Sequence, residues 1–576
     1  MRLRQVVRYL AAATMSIGLG SLLFLQCAYM NPSPSKTIVV DSAGVACAES
    51  LAARAGEAIL REGGNAVDAA VTVAFALAVT YPRAGNLGGG GFLLFRNRTG
   101  EVHAIDFRET APAAATVDMY WDEQGNPVAE KSLIGALAAG VPGTVRGLYL
   151  AHRKYGRLPW KKLLQPAIRL ARDGFVVYED LSRSLKSKEA IFRRFPESYR
   201  IFFPHNNSLQ PGDTLRQPDL ARTLEQIAEH GDTAFYEGEI ARQIARTVQR
   251  YGGIITEEDL RSYRAVEREP VVIDYRGYRI YSMPPPSSGG LVLQGILNTL
   301  QFVALNDSFA HNRADYLAFL SEVEKQWYAR RNLYLGDPDF VEIPYHLFSD
   351  PEQAREVFRR ISTERPLPSR QMPEFRRIAA RNGEHSQTTH LSVVDAEGNA
   401  VSMTYTLNGS YGSCLVAEGT GVLLNNEMDD FATRPGHPNM FGLVQGWANA
   451  IEPGKRMLSS MTPTIVEKDG ELVGLVGTPG GSTIITSVLQ ILLNKIDYRM
   501  SLAEAQAAGR FHHQWLPDTI FYEQGKFDEG VLRELERRGF SVQSRPRLGD
   551  IQAIWRTEAG WEVSSDPRGN GFPTGY

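Results

Sequence analysis

Cysteine is almost missing from this chain. Its 576 residues hold three, Cys27, Cys47 and Cys414, enough for one disulfide at most and too few for a disulfide framework. No C-x-x-C pair occurs, so a zinc ribbon is excluded. An excess of one charge is missing too. The formal net charge is −3, with no long basic run, so there is no electrostatic footing for nucleic acid. Phosphate-loop spacing is absent. "GTPGGSTIITS" (477–487) carries no Gly-Lys-Ser/Thr, and "GNLGGGGF" (85–92) lacks G-x-G-x-x-G and runs into a strand pattern. The adjacent His512 and His513 of "RFHHQW" cannot share a helix face and have no ligand spacing around them, so no metal is expected. No cofactor of any kind is called for.

What is present is an ordinary globular composition, 43% hydrophobic and 22% charged. The start of the chain is unusual. Arg2, Arg4 and Arg8 precede "YLAAATMSIGLGSLLFLQCAYM", and the next charge is Lys36. A basic stretch followed by an apolar one reads as a secretory signal over residues 1–30, and a retained membrane anchor is the other reading. Cys27 closes the run like a lipoprotein acceptor, although Gln26 stands where a small residue is wanted. The protein is therefore expected to be exported, periplasmic or secreted, with membrane attachment through this segment as the variant.

Beyond a Pro/Ser linker, "TIVVDSAGVACAES" reads as a strand entering a helix. The next 32 residues read as two helices divided at Gly63–Gly64, the second apolar on nearly every side and hence buried. "GFLLFRNRTGEVHAIDFRETAP" alternates as a hairpin. Residues 141–260 are mostly helical, and residues 351–387 look charged, irregular and exposed. From residue 388 strands dominate, with "HLSVVD", "AVSMTYTL" and "PTIVEKDGELVGLVGT", before a helix in "GSTIITSVLQILLNKI". Helical blocks between hairpin strands predict an α/β body of layered helices and antiparallel sheets.

Chemistry concentrates around "SQTTHLSVVDAEGNAVSMTYTLN". Thr388 stands where an exposed polar segment meets a strand. Most such threonines are strand residues and nothing more. A threonine nucleophile needs a base, however, and its own α-amine serves if the Gln387–Thr388 bond is cut. That amine titrates at about 7.7–8.0, so it can take a proton near neutrality. "LLNNEMDDF" (423–431) gathers two amides and three carboxylates. It is a solvated acidic face, a calcium loop without the usual D-x-D-x-D-G spacing, or a cradle for a cationic amine. Ser459 and Ser460 in "LSSMTPT" offer paired hydroxyls for a carboxylate. Gly480 and Gly481, at a helix entry, can aim N–H groups at a developing oxyanion. Arg108 in "DFRET" is a structural ion pair with Asp106 or Glu109, or a fork for a substrate carboxylate. Brought together, these groups would bind a free amino-acid head and attack an acyl group farther along its side chain.

"DFRETAP", "GNLGGGGF", "PPPSSGG", "TTHLSVVDAEGNAVSMTYTLN", "GTGVLLNNEMDDF", "LSSMTPT", "TPGGS", "FHHQWLPD" and "DPRGNGFPTGY", in this order, resemble the γ-glutamyltransferases (γ-glutamyltranspeptidases) from about residue 37 to the C-terminus. The resemblance implies an N-terminal-nucleophile hydrolase, a four-layer αββα sandwich, made as a precursor that cuts itself. Thr388 would attack the Gln387 carbonyl, leaving a large subunit (37–387) and a small catalytic subunit (388–576) as one intertwined heterodimer. By the same resemblance Thr388 is the nucleophile, and Thr406 hydrogen-bonds it. Arg108, Ser459 and Ser460 hold the substrate α-carboxylate, while Asn408, Glu427 and Asp430 surround its α-amino nitrogen. Gly480 and Gly481 form the oxyanion hole. The implied substrates are glutathione and other γ-glutamyl compounds, with water, amino acids or dipeptides as acceptors. Two departures stand out. Phe441 occupies the lid position where a tyrosine is common, so steric cover is expected there without a tyrosine hydroxyl as gate. Glu427 stands where some bacterial members have glutamine. A related amidase of the cephalosporin-acylase type is the rival expectation, and an exported binding protein without turnover is the rival of another class.

Overall fold

The computed structural model describes residues 36–377 and 388–576. The expected signal or anchor segment, Cys27 and Gln387 lie outside the described residues. Two seven-stranded antiparallel sheets form the centre. The first runs Phe572–Gly575, Gly44–Cys47, Thr389–Val394, Ala400–Thr406, Gly90–Arg96, Val102–Phe107 and Val266–Arg268. The second runs Thr37–Val40, Gly560–Ser565, Gln552–Thr557, Glu471–Gly477, Thr464–Lys468, Tyr278–Ser282 and Val271–Tyr275.

Strand alternation sorts the side chains into layers. On one face of the first sheet, Val45, Leu93, Phe95, Ile105, Leu391, Val393 and Met403 share a core with helices Ser50–Arg61 and Ala66–Thr80. Ala46, Phe92, Leu94 and Ala104, from the opposite face, share a second core with Ile465, Val476, Ala553 and Ile554 of the second sheet. That core continues to helices Gly289–Leu300, Ala314–Tyr334 and Ile484–Ile496. The order is therefore helix, sheet, sheet, helix. Helix Ala66–Thr80 is buried along its whole length, as its unbroken apolar character predicts. Asn65 and Asp68 cap it reciprocally, each side chain accepting the other's backbone N–H.

The first sheet draws strands from both sides of residue 387. Thr389–Val394 lies between Gly44–Cys47 and Ala400–Thr406, in the register Thr389↔Tyr405 to Val394↔Ala400. Neither half of the chain could build this sheet alone. The tight turn joining Thr389–Val394 to Ala400–Thr406 is set by Asp395, whose carboxylate accepts N–H bonds from Glu397 at 2.9 Å and Asn399 at 3.0 Å.

Two expectations need correction. Residues 37–47 are not one strand leading to a helix. Thr37–Val40 joins the second sheet and Gly44–Cys47 the first, so the chain crosses between layers at residues 41–43. Nor are residues 351–377 simply irregular and exposed. Pro351–Arg360 is a helix, capped by Asp350, with Ala354 and Val357 buried against the second core. Past it, Ser369 is pinned by its hydroxyl to the Trp515 carbonyl (2.8 Å), and its N–H donates to Asp518 (2.7 Å). Charge periodicity concealed the helix because only Ala354 and Val357 on it are fully buried, with Phe358 packed beside them.

Candidate active site

Thr388 enters the first sheet at its centre and is buried. Its Oγ1 lies 3.3 Å from Thr406 Oγ1, at the end of the neighbouring strand. Thr406 Oγ1 also accepts the Asn408 N–H at 2.7 Å. Asn408 has a positive φ of 73°, a conformation asparagine tolerates better than most residues. That kink turns its side-chain amide to donate to the Asn426 carbonyl at 3.1 Å. The run "GGGG" (88–91) leads into the neighbouring strand Gly90–Arg96. A Cβ at Gly89 would stand 2.0 Å from the Thr406 carbonyl oxygen, so only glycine lets the two backbones approach this closely.

Arg108 leaves strand Val102–Phe107 directly into the cavity and is fully buried. Nη1 donates to Glu427 Oε1 at 2.5 Å, Nη2 pairs with Asp430 Oδ2, and Nε donates to the Met457 carbonyl at 3.2 Å. Glu109 is 3.5 Å away. Of the two ion-pair partners read from "DFRET", Asp106 instead takes Arg268 at 2.9 Å and accepts only the Arg108 backbone N–H. "EMDD" forms a short 3₁₀ turn, Glu427–Asp430, which aims Glu427 and Asp430 at one guanidinium. Burial opposes the Arg108 charge, but Glu427 and Asp430 outweigh it and hold its pKa above the ordinary value. Burial raises Glu427 and Asp430 above the usual carboxylate range against the pull of Arg108. Glu109, whose two oxygens have no hydrogen-bond partner among the described residues, is pushed up to about 8 by the same desolvation.

Ser459 and Ser460 lie on an extended segment laid beside residues 286–288. The Ser459 N–H donates to the Pro286 carbonyl (2.8 Å), and the Ser288 N–H to the Ser459 carbonyl (2.8 Å). Gly480, with φ 150°, and Gly481, with φ 55°, open the 3₁₀ turn that leads into helix Ile484–Ile496. A Cβ on Gly480 would meet Thr483 Oγ1 at 2.5 Å. Phe441 is held in a loop whose Pro438 and Val444 pair antiparallel. Asp429 accepts the Met440 N–H at 2.8 Å, and the Gln514 amide donates to the Phe441 carbonyl at 3.1 Å.

These pieces converge. Arg108, Thr388, Thr406, Asn408, Glu427, Asp430, Phe441, Ser459, Ser460 and Gly481 all line one narrow cavity. Gly480 stands next to it without lining it, and Gln387 lies outside the described residues. Sequence reasoning missed Arg331, which lines the same cavity from helix Ala314–Tyr334. It also missed Gln445 and Asn449, whose amides donate to the Asp430 carbonyl at 3.0 and 2.7 Å. A signal for Arg331 did exist. "SEVEKQWYARR" puts charges on every side of a helix that a layered fold must bury, and a charge buried this way needs a reason.

Residues 52–576 match the family model described as gamma-glutamyltranspeptidase. The chain belongs to the γ-glutamyltranspeptidase family. It is 50% identical over 526 residues, 91% of this chain and 90% of the relative, to the glutathione hydrolase proenzyme of Escherichia coli K12. It is 44% identical to the proenzyme of the same name from Pseudomonas aeruginosa, covering 92% and 94%. Among solved structures, cephalosporin acylase from Bacillus halodurans superposes with a TM-score of 0.84 at 28% identity, covering 95% of this chain and 98% of that one. Helicobacter pylori gamma-glutamyltranspeptidase gives 0.56 at 42% identity, with 57% and 94% covered. The fold is that of the N-terminal-nucleophile hydrolases, and the protein is an enzyme of that class.

Proposed function

We propose that this protein is a self-processing glutathione hydrolase and γ-glutamyltransferase in which Thr388 is the nucleophile. The observation that carries the reading is the convergence of Thr388 with Arg108, Glu427, Asp430, Ser459 and Ser460 on one cavity. Thr388 Oγ attacks the Gln387 carbonyl, the acyl group shifts from nitrogen to oxygen, and hydrolysis of the resulting ester releases the Thr388 α-amine. That amine then serves as the base for the hydroxyl of its own residue.

Glutathione enters with its α-carboxylate toward Arg108, Ser459 and Ser460, and its α-ammonium toward Glu427, Asp430 and Asn408. Thr388 attacks the γ-carbonyl while Thr406 holds its hydroxyl. N–H groups at Gly480–Gly481 take the oxyanion charge; losing one such donor typically costs about 10²–10³-fold in rate. The cysteinylglycine amine leaves with the proton. Water or the amine of an amino acid or dipeptide then takes the γ-glutamyl group. Phe441 covers the cavity sterically and has no hydroxyl with which to gate it. The large chain to Gln387 and the small chain from Thr388 stay interleaved, and the basic–apolar start of the sequence directs export.

Release of p-nitroaniline from L-γ-glutamyl-p-nitroanilide, abolished by Thr388→Ala, tests the reading. The acylase-like neighbour makes a glutaryl amide the fair comparison. A glutaryl group lacks the ammonium that Glu427 and Asp430 would hold, so the γ-glutamyl donor is expected to win. Preference for the glutaryl donor overturns the assignment.

A further inference from the structure

Arg108 cannot by itself make the cavity attractive to a carboxylate. Its guanidinium already faces Glu427, Asp430 and Glu109, so its charge is matched before any ligand arrives. The other cation lining the cavity, Arg331, is in the opposite situation. It is 1% exposed, and the oxygens it reaches belong to neutral groups. Nε donates to Ser288 Oγ (3.1 Å), Nη1 to Asn332 Oδ1 (3.0 Å) and Gln445 Oε1 (3.0 Å), and Nη2 to Ser460 Oγ (3.1 Å). No carboxylate lies within ion-pair distance of it among the described residues. Guanidinium has five N–H donors; four are used, and the fifth, on Nη2 beside Ser460, has no acceptor among the described residues. Burying a cation without a counter-ion is costly, and a cation so placed on a cavity wall favours an incoming anion.

We propose that Arg331 is a positioning residue that supplies the second positive charge for the substrate α-carboxylate. It acts at the same site as the function proposed above and rests on that reading. Because Ser460 Oγ accepts from Arg331, its own proton is turned away and is available to donate into the cavity. The remaining Nη2 N–H, and a charge opposed only at longer range by Asp430, then act beside it. Burial pulls Arg331 down to about 10, so it is still cationic at neutral pH. Gln445, another of its partners, belongs to the loop that carries Phe441, so the cover and the carboxylate pocket share one anchor.

The test compares two donors at pH 7 on purified, processed enzyme: L-γ-glutamyl-p-nitroanilide and its α-carboxamide analogue. Arg331→Met and Arg331→Gln should raise KM for the carboxylate donor about 10- to 100-fold, the size of a lost charged hydrogen bond, with kcat changed less than threefold. The ratio of kcat/KM between the donors should collapse by the same factor, and Arg331→Lys should restore part of it. A merely structural role would lower kcat/KM for both donors alike, and that outcome overturns the proposal. Should neither neutral variant fold, Arg108→Met reads the same point from the other side. It should keep at least tenfold preference for the carboxylate donor, and complete loss of preference contradicts a second cation. Wild-type enzyme that turns over neither donor would instead defeat the parent reading.

Discussion

Removing the Arg108 charge should produce a defect that depends on pH in a calculable direction. Arg108 is fully buried, and its partners Glu427 and Asp430 are buried with it. Arg108→Met keeps the aliphatic stem but leaves three carboxyls around an empty centre. Breaking a buried pair by deleting one partner costs about 3–5 kcal/mol when the remaining charge cannot escape. Carboxyls can escape by taking protons. The guanidinium is what lowers Glu109, Glu427 and Asp430 against burial, so without it all three rise further. A carboxyl whose folded pKa is raised contributes stability below its unfolded value, near 4, and loses it as pH climbs through the folded value. The variant should therefore be most weakened at pH 8 and recover toward pH 5. For a chain of this length unfolding entropy is about 1 kcal/mol per degree, so the deficit at pH 8 should be about 3–5 °C. Differential scanning fluorimetry from pH 5 to 9, with both proteins on the uncut Thr388→Ala background, measures it. An equal deficit at pH 5 and pH 8 would refute the charge argument and leave lost packing as the cause.

Other perturbations read other parts of the site. Thr406→Ala removes the acceptor of the buried Asn408 N–H, a cost of about 1–3 kcal/mol, and should slow appearance of the two chains on a denaturing gel; Thr406→Ser should restore the rate. Gly480→Ala places a methyl 2.5 Å from Thr483 Oγ1; it should lower kcat about 100-fold with a smaller change in KM, measured by steady-state anilide hydrolysis. Asp429 accepts from Ser132 Oγ (2.7 Å) and the Met440 N–H, and burial pushes it up to about 7. Its folded pKa is raised, so wild type loses stability from about pH 4 to 7, and Asp429→Asn should flatten that part of the Tm–pH profile.

Much of the site was legible because its residues sit in short motifs whose chemistry is local. "TTHLSVV", "LSSMTPT" and "TPGGS" each hold a strand or a helix entry together with the groups it presents. The rest depends on which layer a residue faces. Strand Thr389–Val394 is buried on both faces, so alternation could not tell that His390 looks toward the second sheet. Between the sheets it bonds Thr404 of the neighbouring strand in its own sheet at 2.7 Å, and desolvation brings it down to about 3. Arg331, Gln445 and Asn449 come from a helix and a loop more than a hundred positions apart, and only the packed layers bring them to Asp430 and Ser460. The crossing at residues 41–43 was hidden for a similar reason, since both flanking strands are short and apolar and only their partners assign them to different sheets.

Residue 388 is proposed to make its own chain end and then to use it. Intact-mass measurement and N-terminal sequencing of the purified wild type and of Thr388→Ala test this directly. The wild type should yield two chains, the smaller beginning Thr-Thr-His-Leu, and Thr388→Ala a single uncut chain without activity. A small chain beginning at any other residue, or two normal chains from Thr388→Ala, would contradict the account.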